Sequence, residues 1–152
     1  DFFLIFEDAD LSFRAQLAGY SCVFVPAARV YHKSNASIGT LSETYVYYGH
    51  RNLEFVFFQN MPASLLLRFL PAHLFYDALA LLHFAARGRA GAFLRAKASA
   101  FREIPAILRK RRRVQRSRRR TPREVRALVS PGWLKDRWRL RRLRPLRAET
   151  PQ

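Results

Sequence analysis

An apolar run that ends in two adjacent carboxylates sets the terms for this chain: Phe2, Phe3, Leu4, Ile5 and Phe6 lead straight into Glu7 and Asp8. Ionised carboxyls beside phenylalanines lose solvation, which raises their pKa unless charge or hydrogen bonds compensate, so the placement points to a base or a metal ligand. The plain alternative is that the pair starts a helix, because Asp is a favoured N-cap and acidic groups suit a helix N-terminus. That helix is expected over about Ala9–Ala18, stopped by a left-handed cap at Gly19. Asp10 and Arg14 stand four apart on it, the spacing of an ordinary surface salt bridge of about 0.3–0.5 kcal/mol.

Tyr20–Val25 alternates and is rich in β-formers, Pro26 ends it, and Arg29–His32 forms a second short strand that brings His32 back. The single cysteine, Cys22, falls in the first of these runs. It cannot form an internal disulfide, which fits a reducing compartment, and its apolar setting predicts a buried structural thiol. Lys33–Thr40 is polar and turn-rich, with Gly39 as its hinge, and reads equally as a loop closing over a substrate or as a solvated connector.

The order FFxxFEDxDLxxRxxxxGxxxxxxPxAxxxH, followed by Tyr47-Tyr48 and Arg51-Asn52, resembles the C-terminal half of a family 2 glycosyltransferase. Within that family it is most similar to bacterial rhamnosyltransferase-type and galactofuranosyltransferase-type enzymes of cell-wall and O-antigen polysaccharides. The likeness covers the first third of the chain in detail. It implies an α/β fold, with residues 1–60 as the C-terminal part of a GT-A, Rossmann-like catalytic domain. The chain opens on Asp1 in mid-motif with no signal peptide, so it is expected to be a fragment, inactive alone. The nucleotide-binding half, with its Asp-x-Asp metal motif, would lie upstream. Asp8-Ala9-Asp10 has the letters of that motif but occupies the place of the acid-base pair.

The resemblance also implies roles. Asp8 is the general base of an inverting sugar transfer, and Glu7 positions the acceptor or tunes Asp8, since adjacent acids rarely ionise independently. His32 joins the Asp-x-Asp carboxylates around a divalent metal, Mn²⁺ or Mg²⁺. Asp10 and Arg14 brace the catalytic loop. Arg51 lies embedded among aromatics and calls for an anion, which in the family picture is the diphosphate of donor or lipid acceptor. The donor is a nucleotide-sugar, with rhamnose the sugar of nearest resemblance, and the acceptor a polysaccharide or lipid-linked glycan.

Beyond the motif, a helix capped by Ser42 should run to the Met61-Pro62 break, with Tyr45, Tyr48, Phe55 and Phe58 near one core-facing stripe. Residues 61–108 read as amphipathic, membrane-associating helices. The stretch 63–86 approaches a membrane span in length, yet Arg68, Pro71, His73, Asp77 and His83 interrupt it, so a helix pair broken near Pro71 and lying in the membrane plane is expected. A further amphipathic helix should cover about Ala90–Arg102, and its competing use is packing against the absent catalytic half.

Charge is distributed unevenly. Residues 1–108 carry ten Lys/Arg against eight Asp/Glu, whereas 109–152 carry eighteen against three, so nearly all of the net +17 lies in the last third. From Arg109, nine of twelve residues are basic, a pattern of partly disordered or surface-bound tails, and Trp133 and Trp138 follow among arginines. Such a tail meets phosphates, on an anionic membrane or on nucleic acid. The expected place is peripheral, on the cytoplasmic face of the cell membrane. Two other classes account for parts of the chain. A basic nucleic-acid-binding protein explains the tail, but without a reading module nucleic acid is the disfavoured partner. A noncatalytic membrane-surface anchor leaves residues 1–32 without purpose.

Overall fold

The computed structural model describes residue 2, residues 4–31, residue 39 and residues 42–129. Six helices run through them: α1 (Glu7–Leu17), α2 (Glu43–Asn60), α3 (Ala63–Ala85), α4 (Ala90–Arg102), α5 (Ile104–Ser117) and α6 (Pro122–Leu128). Among the described residues there is no strand and no sheet, which overturns the expectation of an α/β, Rossmann-like domain. Residues 20–31, where two strands were expected, are irregular, with Phe24 87% and Tyr31 96% exposed. A strand needs a neighbour to take its N–H and C=O groups, and β-propensity measures fit to that neighbour more than an intrinsic backbone preference. No described segment pairs with this one. Cys22 lies in it and is exposed, so the buried thiol is corrected as well.

Local signals place the helix ends well. Gly19 takes φ 97°, and the amides of Gly19 and Tyr20 donate to the carbonyls of Gln16 and Ala15, a Schellman termination of α1. Ser42 caps α2 through a bond from the Tyr45 amide at 3.1 Å, and Pro62 follows its end. Thr121 and Glu124 form a capping box on α6.

α2 is the axis of the bundle, and three apolar clusters surround it. Leu17, Phe57, Met61, Leu65 and Val125 join α1, α2, α3 and α6. Val46 packs with Ala80, Phe84, Ala92 and Phe93 of α3 and α4. Phe55 packs with Ala100 and Ile107 of α4 and α5. On α4, Ala92, Ala96 and Ala100 recur at helical spacing and are buried, so small side chains allow close packing.

α3 continues unbroken through Pro71, correcting the expected helix pair. A proline in a helix interior costs about 3 kcal/mol, through the missing amide and the clash of its ring with the carbonyl four residues back, while contacts on both sides of Pro71 hold the two turns in line. By length and composition α3 is able to cross a membrane, but one of its faces packs into the bundle. The basic run continues α5 to Ser117, and several of its side chains act as helix caps. Arg111 donates to the carbonyls of Phe58 (2.8 Å) and Met61 (2.6 Å), and Gln115 to that of Asn60 (2.8 Å), so α5 closes the C-terminus of α2. Arg120 does the same for α1, donating to Gln16 and Tyr20.

Candidate functional site

Two non-glycine residues with positive φ stand immediately before the acidic pair: Ile5 at 63° and Phe6 at 71°. For a β-branched residue this is a genuine outlier, disfavoured by about 1–2 kcal/mol, and such strain persists only where the surroundings impose it. Here Asn52 imposes it. Its side-chain amide, fully buried in α2, donates to the carbonyls of Leu4 (2.6 Å) and Ile5 (2.9 Å). The turn then delivers Glu7 and Asp8 to the first turn of α1, both exposed, with Asp8 Oδ1 accepting from the Ala9 amide at 2.7 Å. The acids are thus presented to solvent, where the sequence suggested desolvation among phenylalanines.

Asp10 points the other way. Its carboxylate is buried, accepting from Arg14 Nε at 2.7 Å and from Asn60 Nδ2 at 2.7 Å, so it ties α1 to the end of α2. The pair expected at the surface is half inside and has a third member. Arg51 lies over three aromatic rings, 5.7 Å from Tyr47, 5.0 Å from Tyr48 and 5.1 Å from Phe55, and its Nε donates to Asn52 Oδ1 at 3.2 Å. The same asparagine therefore touches both the turn before Glu7 and the arginine.

Two cavities connect these residues. One, of about 140 Å³, is lined by Arg51, Phe55, Gln59 and Lys110; the other, of about 320 Å³, by Phe2, Asp10, Arg14, Gln59, Lys110 and Arg113. Gln59 and Lys110 belong to both, and the two neighbouring linings together carry four cations, Arg14, Arg51, Lys110 and Arg113, with two acids, Asp10 and Glu103. Burial, and then the Arg113 charge, push the Lys110 ammonium below its ordinary pKa. Glu7 and Asp8 lie at the head of α1, outside the lining of both cavities. His32, the expected metal ligand, lies outside the described residues.

Sequence reasoning missed Asn52 as a clamp, Asn60 as a partner of Asp10, and Lys110 as part of the cleft. Its one usable signal was three amide side chains, Asn52, Gln59 and Asn60, in a helix rich in aromatics, where a buried polar group must find partners.

A second polar cluster lies on the far side of α2. His73 Nε2 meets both Glu54 oxygens at 2.9 and 3.0 Å, its ring stacks on Phe57 at 4.1 Å, and the Lys97 ammonium bonds Glu54 and, at 2.6 Å, Asp77. Burial pushes the Glu54 carboxyl up, but the His73 bond and the Lys97 charge outweigh it and hold Glu54 below its usual range. For Asp77, burial and the Glu54 charge prevail over Lys97, and its pKa is raised. Burial, then the Lys97 charge, bring the neighbouring His50 down to about 4. Glu54, His73 and Asp77 are a set of three possible metal ligands. The Lys97 ammonium already bonds two of them, Glu54 and Asp77, and a cation there would have to displace it. Around Asp8 the described residues gather no ligand set, and His32, the ligand that the resemblance implies, lies outside them.

No family model matches the chain, and no curated protein or solved structure matches it.

Proposed function

We propose that the chain carries the acceptor-activating acid of an inverting glycosyltransferase, with Asp8 as general base. The observation that supports this most is the strained turn before Glu7 and Asp8, held by a buried asparagine. A pair serving only as helix caps would not need it, since Phe6 at the cap position contributes no side-chain bond. Strain kept in place by dedicated partners is characteristic of sites that aim a reactive group.

In the reaction, Asp8 takes the proton of the acceptor hydroxyl as its oxygen bonds to the anomeric carbon, while the bond from that carbon to the nucleotide diphosphate breaks on the opposite face. Glu7 orients the acceptor. Arg51, with Lys110 and Arg113 along the cleft, suits the charge that collects on the departing diphosphate. A divalent ion would neutralise part of that charge, and the described residues contribute nothing to holding it. The donor is a nucleotide-sugar, rhamnose by nearest resemblance, and the acceptor a glycan, free or lipid-linked, met at the cytoplasmic membrane face.

In the complete gene product, Asp8→Asn should lower kcat by about 10²–10⁴-fold with donor binding unchanged, because a base acts in the transition state. Transfer assays with donor titration by calorimetry check this. Turnover retained in that variant would remove Asp8 from the role.

A further inference from the structure

An apolar cavity of about 420 Å³ opens between α2, α3, α4 and α5. Phe58, Leu74, Phe101, Ile104, Ile107 and Leu108 wall it, and at its polar edge Glu54 and Lys97 are bonded to each other, so no unpaired charge faces the space. Its rim is greasy and open to solvent: Phe101 is 75% exposed, Leu74 57% and Leu108 46%. An apolar hole ringed by exposed apolar side chains marks a binding surface, not a folded exterior at rest.

The charge beside it identifies the occupant. On α5, Ile104, Leu108, Arg112 and Arg116 follow one another at four-residue spacing, so one exposed face passes from apolar to cationic. Each step advances about 6 Å along the axis, close to the depth that separates acyl chains from lipid phosphates. α5 carries six basic side chains and no acid, which disfavours a second copy of this chain on the same face. A nucleic acid would leave Leu74 and Phe101 in water. Along α3, Leu67, Leu74, Phe75 and Leu82 extend the exposed apolar surface, while the opposite face of that helix is held by Phe57 and Lys97. α3 thus has one face packed into the bundle and another bare.

We propose that this face docks on an anionic phospholipid bilayer, with an acyl chain of one anionic phospholipid in the cavity and its phosphate at Arg112 and Arg116. The docking is independent of any role of Asp8.

Vesicles of phosphatidylcholine, with and without a phosphatidylglycerol carrying a photoreactive group in its acyl chain, test this on the full chain. Expected are cosedimentation with the anionic vesicles, weakened by salt, and crosslinks to Leu74 and to residues 101–108. Phe101→Glu should weaken binding about tenfold or more and remove the crosslinks, with helicity and Tm retained because the side chain is exposed. Arg112→Gln and Arg116→Gln should each weaken it about fivefold, in the salt-sensitive part. Glycerol phosphate should not compete, since a headgroup alone leaves the cavity unfilled; full competition would identify a free phosphate site and overturn the lipid assignment. Equal binding to both vesicles, crosslinks confined to other segments, or salt-steep binding to duplex DNA without vesicle binding would each overturn the proposal.

Discussion

α2 carries two buried polar clusters on opposite sides, and they are built differently. On one side, the neutral amides of Asn52 and Asn60 reach across to a backbone turn and to Asp10, holding α1 so that Glu7 and Asp8 stand in solvent. On the other, Glu54, His73, Asp77 and Lys97 bond one another. An amide clamp positions groups that it does not neutralise, whereas a closed ion cluster uses its charges up. The first arrangement suits a reactive site. The second locks α3 and α4 onto α2.

The largest effect should come from opening the closed cluster. Lys97→Met leaves two carboxylates without their cation and should destabilise the fold by about 3–5 kcal/mol, while replacing Glu54, Asp77 and Lys97 together by Gln, Asn and Met should recover most of the loss. Urea denaturation measures both; a single variant as stable as the triple would mean that Lys97 is not the balancing charge.

His50 gives a pH handle on the same side. Its folded pKa, about 4, lies below the unfolded value of 6.5, so the unfolded chain takes the proton first. Stability present above about pH 6.5 is lost as the pH falls toward 4, by at most about 3 kcal/mol. His50→Phe should flatten that part of the stability profile, and an unchanged slope would show that other groups set it.

On the amide side the effect on stability is smaller and the effect on turnover larger. Asn52→Ala removes two bonds to the strained turn and should destabilise by about 2 kcal/mol. In the complete gene product it should also lower kcat more than the affinity for donor. A variant that loses stability and keeps kcat would make Asn52 a packing residue and erase the contrast between the two clusters.

Features decided within one helical turn were legible in the sequence. Ser42, Gly19 and the Met61-Pro62 break mark real helix ends because caps and breakers act on neighbours a few residues away. Residues 20–31 were not legible, because a strand exists only with its partner. His73 and Asp77 stood out as interruptions of an apolar run, but their meaning depends on Lys97, 20 residues beyond Asp77, and on Glu54, 43 residues before Lys97. The charge density from Arg109 onward suggested a tail, and it hid arginines committed to helix ends. Of the candidate site, Asp10 and Arg14 line one cavity and Arg51 its neighbour, while the clamp that aims Glu7 and Asp8 was invisible without the fold.

Arg120, which closes the C-terminus of α1, has a consequence for the order in which the molecule is made. It bonds the Gln16 carbonyl across 104 positions of sequence, so α1 leaves the ribosome long before the residue that finishes it exists. Closing so long a loop is slow, and until it closes the Leu17 carbonyl at the end of the helix bearing Glu7 and Asp8 lacks the Arg119 amide that it accepts from. The bundle of α2, α3 and α4 can form first from nearer contacts. The acidic pair, made before the bundle that holds it, is then among the last features to settle into its final geometry.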